Sequence, residues 1–135
     1  MKLYLPVGCS ELGTRSNNED AIRPLEPLEE DRLFLVCDGV GGNAKGEVAS
    51  SLVCEGFCNF FEKQTLQSTT NALYLAAGLK ATEEKLQNYL ASHTESQGMA
   101  ITLALLWLSN LEHKALIGWV GDCSVYHIRN GNVLF

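Results

Sequence analysis

The apolar positions change period along the chain. Leu3–Ser10 reads as a short strand, and Glu11–Asp20 (ELGTRSNNED) as a polar loop. Ala21–Leu25 predicts a second short strand. Glu26–Asp31 (EPLEED) is an acidic turn that contains Pro27. Arg32–Asp38 (RLFLVCD) is almost continuously apolar, which predicts a strand buried on both faces. A glycine-rich turn, GVGGNAKGE, follows. From Lys45 to Glu62 the repeat becomes helical, with Ala49, Leu52, Val53, Gly56, Phe57 and Phe60 on one face. Glu47 falls in the first turn, where the helix dipole favours an acid. Asn71–Ser92 predicts a second helix with a weaker stripe of Leu73, Ala76, Ala77, Leu86 and Leu90. Both stripes read as core contacts.

The last third returns to strands. Gly98 opens Met99–Ser109, and Asn110–His113 makes a turn. Lys114–Asp122 (KALIGWVGD) predicts another buried strand. Cys123–Gly131 follows, with Asn130-Gly131 as a hairpin signal before NVLF begins a new strand. Strands, two helices, then strands predict an α+β fold with antiparallel sheet and helices packed on one face. No repeat, linker or low-complexity tract interrupts the pattern, so residues 1–135 read as a single domain.

Composition narrows the class. The 135 residues are 46% hydrophobic and 19% charged, enough apolar material for one core. A net charge of −6 argues against non-specific nucleic-acid binding. The mild acidity fits either a solubility feature or acids gathered to hold cations, and composition does not separate the two. The five cysteines, Cys9, Cys37, Cys54, Cys58 and Cys123, form no Cys-x-x-Cys pair. His93, His113 and His127 lie at no ligand-like spacing to them. They read as core thiols of a reducing cytoplasm rather than zinc ligands. The N-terminus turns polar too quickly for a signal peptide. The longest apolar run, Met99–Leu108, is about half a membrane span. The expectation is a soluble cytoplasmic protein with no membrane partner.

Chemistry concentrates at LFLVCDGVGGNAKGEVAS, Leu33–Ser50. A phosphate-binding P-loop fails here, because Glu47 stands where the lysine after Gly41 and Gly46 belongs. Gly39, Gly41 and Ala44 fit a loose dinucleotide fingerprint. That motif, however, needs a second parallel strand where a second helix is predicted, and Asp38 would repel the pyrophosphate. The remaining reading makes the acid the point. A carboxylate fixed at a strand end, followed by a glycine that lets backbone carbonyls approach a ligand, suits a hard cation such as Mg²⁺ or Mn²⁺. One aspartate is a poor site. Asp122, at the end of GWVGD, and the Glu19-Asp20 pair, with Arg15 upstream, are the acids that could join it. Taken singly, each is as readily a loop cap or a solvated charge.

The segments TRSNNEDA, LFLVCDGVGGNAKGEVAS, GMAITLALL and GWVGDCSVYHIRNG, in that order, resemble the N-terminal motifs of the bacterial metal-dependent protein phosphatases, the protein phosphatase 2C family. The resemblance runs from about Gly8 to Gly131. It implies a protein phosphatase 2C-like antiparallel β-sandwich flanked by helices. It also implies hydrolysis of phosphoserine and phosphothreonine in proteins. By resemblance, Asp38 matches the aspartate that bridges two Mn²⁺ or Mg²⁺ ions, and Gly39 the residue whose carbonyl ligates one of them. Glu19 and Asp20 match the acidic pair that holds metal-bound waters. Arg15 matches the arginine that grips the substrate phosphate, and Asp122 an aspartate that helps hold a third metal. Dimetal chemistry of this kind activates water for in-line attack, so no cysteine nucleophile is needed.

Three departures stand out. Val40 occupies the position where some members carry a histidine proposed as general acid. Ala100-Ile101-Thr102 replaces the usual Ser/Thr pair after Gly-Met and reads as a packing change. The family domain is usually well over 200 residues, and its second half supplies an Asp-Gly and an Asp-Asn motif that this sequence lacks. The resulting expectation is an incomplete fold whose open sheet edge promotes self-association. Function then divides into a Mn/Mg-dependent Ser/Thr phosphatase, weakly active or inactive alone, and a non-catalytic phosphatase-like relic or binding module.

Overall fold

The computed structural model describes residues 4–40, 45–62, 72–109 and 113–135. Four strands form one antiparallel sheet in the order β1-β2-β3-β4: β1 Asp20–Arg23, β2 Leu33–Val40, β3 Ala100–Ser109 and β4 Lys114–Val120. Helices α1, Gly46–Glu62, and α2, Ala72–Ser92, fill the connection between β2 and β3. A hairpin of β5, Ile128–Arg129, and β6, Asn132–Val133, ends the chain. This is the expected α+β order. Positions 41–44 of the glycine turn and 110–112 of the β3–β4 turn lie outside the described residues.

Both helices lie over one face of the sheet. Cross-strand partners share a face, so Ala21, Cys37, Leu103 and Val120 form one row, and Leu35 and Leu105 belong to the next. Against these rows α1 presses Val53, Cys54, Phe57 and Phe61, all buried. Phe61, Tyr74 of α2 and Trp107 of β3 close the far end of the core, with ring centroids 4.8 to 5.4 Å apart. The α1 stripe is therefore used as its periodicity indicates.

Several expectations need correction. β2 is not buried on both faces. Leu35 and Cys37 are buried, but Val36 is 51% and Val40 52% exposed, because the helices cover only one side. β4 is an edge strand rather than a buried one, with Trp119 61% exposed. Residues 4–10 form no strand. Pro6 removes a ladder donor there, and Tyr4 and Val7 are almost fully exposed. Residues 123–126 also form no strand, and the segment pairs only from His127, whose backbone bonds Leu134 and Phe135, into the β5–β6 ladder. The hairpin signal itself is accurate: Asn130 and Gly131 both have positive φ, 51° and 76°, as a type I′ turn requires.

The weak stripe of α2 holds only in its second half: Leu86 and Leu90 are half-buried, but Leu73, Ala76 and Ala77 are exposed. The helix turns Tyr74, Gly78 and Thr82 inward instead, at four-residue spacing. Small residues let the helices approach. A Cβ on Gly56 of α1 would lie 2.7 Å from Thr82 Cγ2, and the buried Thr82 hydroxyl donates to Gly78 O at 2.9 Å.

Candidate active site

The site lies at one end of the sheet, on the face the helices leave open. β1 and β2 pair with Asp20 directly opposite Asp38, so both carboxylates project from the same face. Asp38 is half-buried, and its carboxyl is pushed above the ordinary range. Withdrawal from solvent is the largest cause. The charge of Asp20 and a hydrogen-bonding contact with it come next, and Asp122 adds further repulsion. The Arg15 guanidinium opposes this shift. Asp20, Asp122 and Arg15 are thus all within electrostatic reach of Asp38.

Local chemistry explains how a polar loop is held so firmly. Arg15 closes a turn, with its N–H donating to Leu12 O at 3.3 Å, and Gly13 at φ 61° permits the reversal. Asn18 accepts the Asp20 N–H at 3.0 Å and donates through Nδ2 to Ser10 Oγ at 2.9 Å, fixing the entry to β1. The Gly39 N–H then donates to Glu19 O at 3.0 Å, carrying the β1–β2 contact one residue beyond the strand. These segments enclose a cleft of about 460 Å³ lined by Arg15, Ser16, Asn17, Glu19, Asp38, Gly39 and Val40.

Asp122 arrives from the other side. β4 ends at Val120, and Gly121 turns the chain at φ 82°. Thr102, the β3 partner of Asp38, bonds Cys123 Sγ through its hydroxyl at 3.0 Å and packs its methyl against Gly121. The turn carrying Asp122 is tied in this way to the strand beside Asp38.

The structure therefore brings Arg15, Glu19, Asp20, Asp38, Gly39 and Asp122 to one region, but it separates the acidic pair. Asp20 faces Asp38, whereas the Glu19 carboxyl lies against Gly46 at the start of α1. Among the described residues, no three Asp, Glu, His or Cys side chains gather closely enough to hold an ion by themselves. The donors present are nonetheless hard oxygens, and a divalent cation would relieve the repulsion on Asp38, so the set fits Mn²⁺ or Mg²⁺ in part. Thr102, Ser16, Asn17 and Gly46 were not singled out from the sequence as site residues. A hydroxyl, two loop side chains and a glycine carry no charge pattern that would mark them.

The sequence matches the protein phosphatase 2C family over residues 7–134. The chain belongs to that family. Among phosphatase 2C relatives, it is 25% identical over 118 residues to the serine/threonine phosphatase stp of Listeria innocua, covering 86% of this chain and 46% of that protein. Two solved structures resemble it. Staphylococcus aureus serine/threonine phosphatase Stp1 has a TM-score of 0.77 at 27% identity, over 98% of this chain and 53% of that one. The catalytic domain of serine/threonine phosphatase PstP, in complex with two manganese ions, has a TM-score of 0.71 at 26% identity, over 89% and 48%. The chain spans about half the length of such phosphatase 2C relatives. No helix among the described residues is long and apolar enough to cross a membrane.

Proposed function

We propose that this chain is the N-terminal part of a Mn²⁺- or Mg²⁺-dependent protein phosphatase that hydrolyses phosphoserine and phosphothreonine in proteins. The observation that supports this reading is a cleft lined by Arg15, Glu19, Asp38 and Gly39, with Asp20 and Asp122 within electrostatic reach of Asp38. Two divalent cations, or three with Asp122, would supply a water acidic enough to deliver hydroxide near neutral pH and positive charge against the phosphoryl oxygens. Asp38, Asp122 and the Gly39 carbonyl would hold them, with Glu19 and Asp20 orienting water. Arg15 presents a planar fork that matches two phosphate oxygens and offsets charge developing on them. Val40 at the cleft wall offers no proton, so the leaving alkoxide takes its proton from water.

The test is hydrolysis of a phosphothreonine peptide and of p-nitrophenyl phosphate with Mn²⁺, comparing the chain with Asp38→Asn. Metal-dependent turnover lost in Asp38→Asn supports the reading. Equal background rates in both leave the second reading, a phosphatase-like binding module. The separation of the Glu19 carboxyl, which lies against Gly46, from Asp20, which faces Asp38, favours that module. For partners, the proposal is a phosphoprotein substrate and a second copy of this chain meeting the edge of β4, in a cytoplasmic setting consistent with the thiols of Cys9, Cys37, Cys54 and Cys123. Neither nucleic acid nor membrane is proposed.

A further inference from the structure

We propose that Gly46 is a positioning residue of the acidic site: its missing side chain sets where the Glu19 carboxylate and the Gly39 carbonyl sit. The inference rests on the metal-dependent reading above and assigns a role to a residue outside the donor set.

Three backbone segments cross here without an intervening side-chain layer. A Cβ on Gly46 would lie 2.8 Å from Gly39 O, and 2.9 Å from both Cδ and Oε2 of Glu19. In the reverse direction, a Cβ on Gly39 would collide with Gly46 O and lie 2.7 Å from Glu19 O. The Gly39 N–H meanwhile donates to Glu19 O at 3.0 Å. Real Cβ atoms do not tolerate such distances to backbone, so a methyl at position 46 must displace the two groups it meets. One is the carbonyl assigned to the metals in the reading above, and the other is the acid lining the cleft.

Conformation is not the reason for glycine at either position. Neither Gly39 nor Gly46 has a left-handed φ, and Gly46 opens α1, where alanine is a better helix former. Space alone excludes a side chain. The approach is fixed from both sides. The Gly39 N–H bond to Glu19 O ties those two residues together beside the β1–β2 ladder, and α1 is held by its packing on the sheet. The flexible part is the Glu19 side chain, so it swings first.

The experiment compares the full chain with Gly46→Ala, Glu19→Ala and the double variant, using calorimetric titration with Mn²⁺ and amide exchange at Gly39. Gly46→Ala should weaken Mn²⁺ binding by about tenfold, as displaced supporting groups do. The same change in the Glu19→Ala background should weaken it less, because the carboxylate is already gone and only the Gly39 carbonyl is left to displace. The Gly39 amide should exchange faster in Gly46→Ala while the remaining β1–β2 amides keep their protection. Wild-type affinity together with wild-type Gly39 exchange in Gly46→Ala overturns the inference. A chain that binds no Mn²⁺ in any form overturns the metal reading instead. The Gly39 exchange rate then decides the role of Gly46 by itself, and a general loss of protection across the β1–β2 ladder would show a folding residue and refute the positioning role.

Discussion

Asp20 and Asp38 stand directly opposite each other across the β1–β2 ladder, so both carboxyl groups project from the same face. Like charges directly across a ladder destabilise a sheet, so the fold tolerates this pair at a cost. Two features lower that cost: Arg15 lies close by, and Asp38 binds its proton more tightly than an ordinary aspartate. Functional sites concentrate such conflicts, where several acids are held together for a ligand.

Asp38→Asn should therefore raise the melting temperature of the metal-free chain while removing any stabilisation by Mn²⁺. The pH dependence follows from the direction of the shift. Asp38 in the folded chain titrates above its ordinary value of 3.8. The folded state then holds a proton that the unfolded state has released. Its contribution is fully present below the ordinary value and is lost as pH rises through the raised one. Thermal melts across that acidic window should show a downward step with rising pH that is smaller in Asp38→Asn. A variant that melts lower than the parent at neutral pH without metal would refute the repulsion argument.

Much of this was legible in the sequence. The α1 stripe and the Asn130-Gly131 turn were readable because each depends on local chemistry, a 3.6-residue period and two positive φ angles. Asp38, expected at a strand end, lies two residues inside β2, because pairing with β3 carries the ladder on to Val40. What failed depends on partners distant in sequence. Val36 and Trp119 read as core by hydrophobicity, yet they lie on the sheet face opposite the two described helices and are exposed. The Leu73 stripe lost to Gly78 and Thr82, because close helix approach rewards small residues over large ones. Asp20 and Glu19 are adjacent in sequence, and only the ladder register shows that they point at different neighbours.

The α1–α2 crossing should be sensitive to single methyl groups. Gly56→Ala gains helix propensity but drives its Cβ into buried Thr82. Overpacking of this kind costs about 1–3 kcal/mol, which exceeds the roughly 1 kcal/mol gained by replacing glycine in a helix. Urea denaturation should show net destabilisation, partly relieved when Thr82→Ser removes the clashing methyl. A Gly56→Ala chain more stable than the parent would show that the helices can separate freely.

Thiol chemistry provides a test of local geometry. Cys9 is exposed, and its thiol donates to Glu11 Oε1 at 3.5 Å; this bond and the nearby charge raise its pKa. Cys37 and Cys54 are buried with their sulfurs 3.2 Å apart, and hydrogen bonding and burial push Cys37 upward. The thiolate is the reactive form. Iodoacetamide at pH 8 should therefore label Cys9 first, and faster in Glu11→Gln, while Cys37 and Cys54 react only on unfolding. Mass spectrometry of digested samples would show the order, and early labelling of Cys37 would contradict the packing of β2 on α1.

The open face of the sheet leads to a prediction about assembly. Val36 and Trp119 belong to one cross-strand row with Ala104, on the side away from the helices, and β4 lies at the sheet edge. An edge strand offers unpaired backbone groups, and apolar neighbours strengthen any pairing there. If two copies meet at β4, the mass measured by light scattering should rise with concentration. Trp119→Lys should then return it to that of one chain, because a charge on an edge strand blocks pairing without disturbing the helix-covered core. The secondary structure of Trp119→Lys, followed by circular dichroism, should stay that of the parent. A single-chain mass at every concentration would rule out the second copy as occupant of the edge.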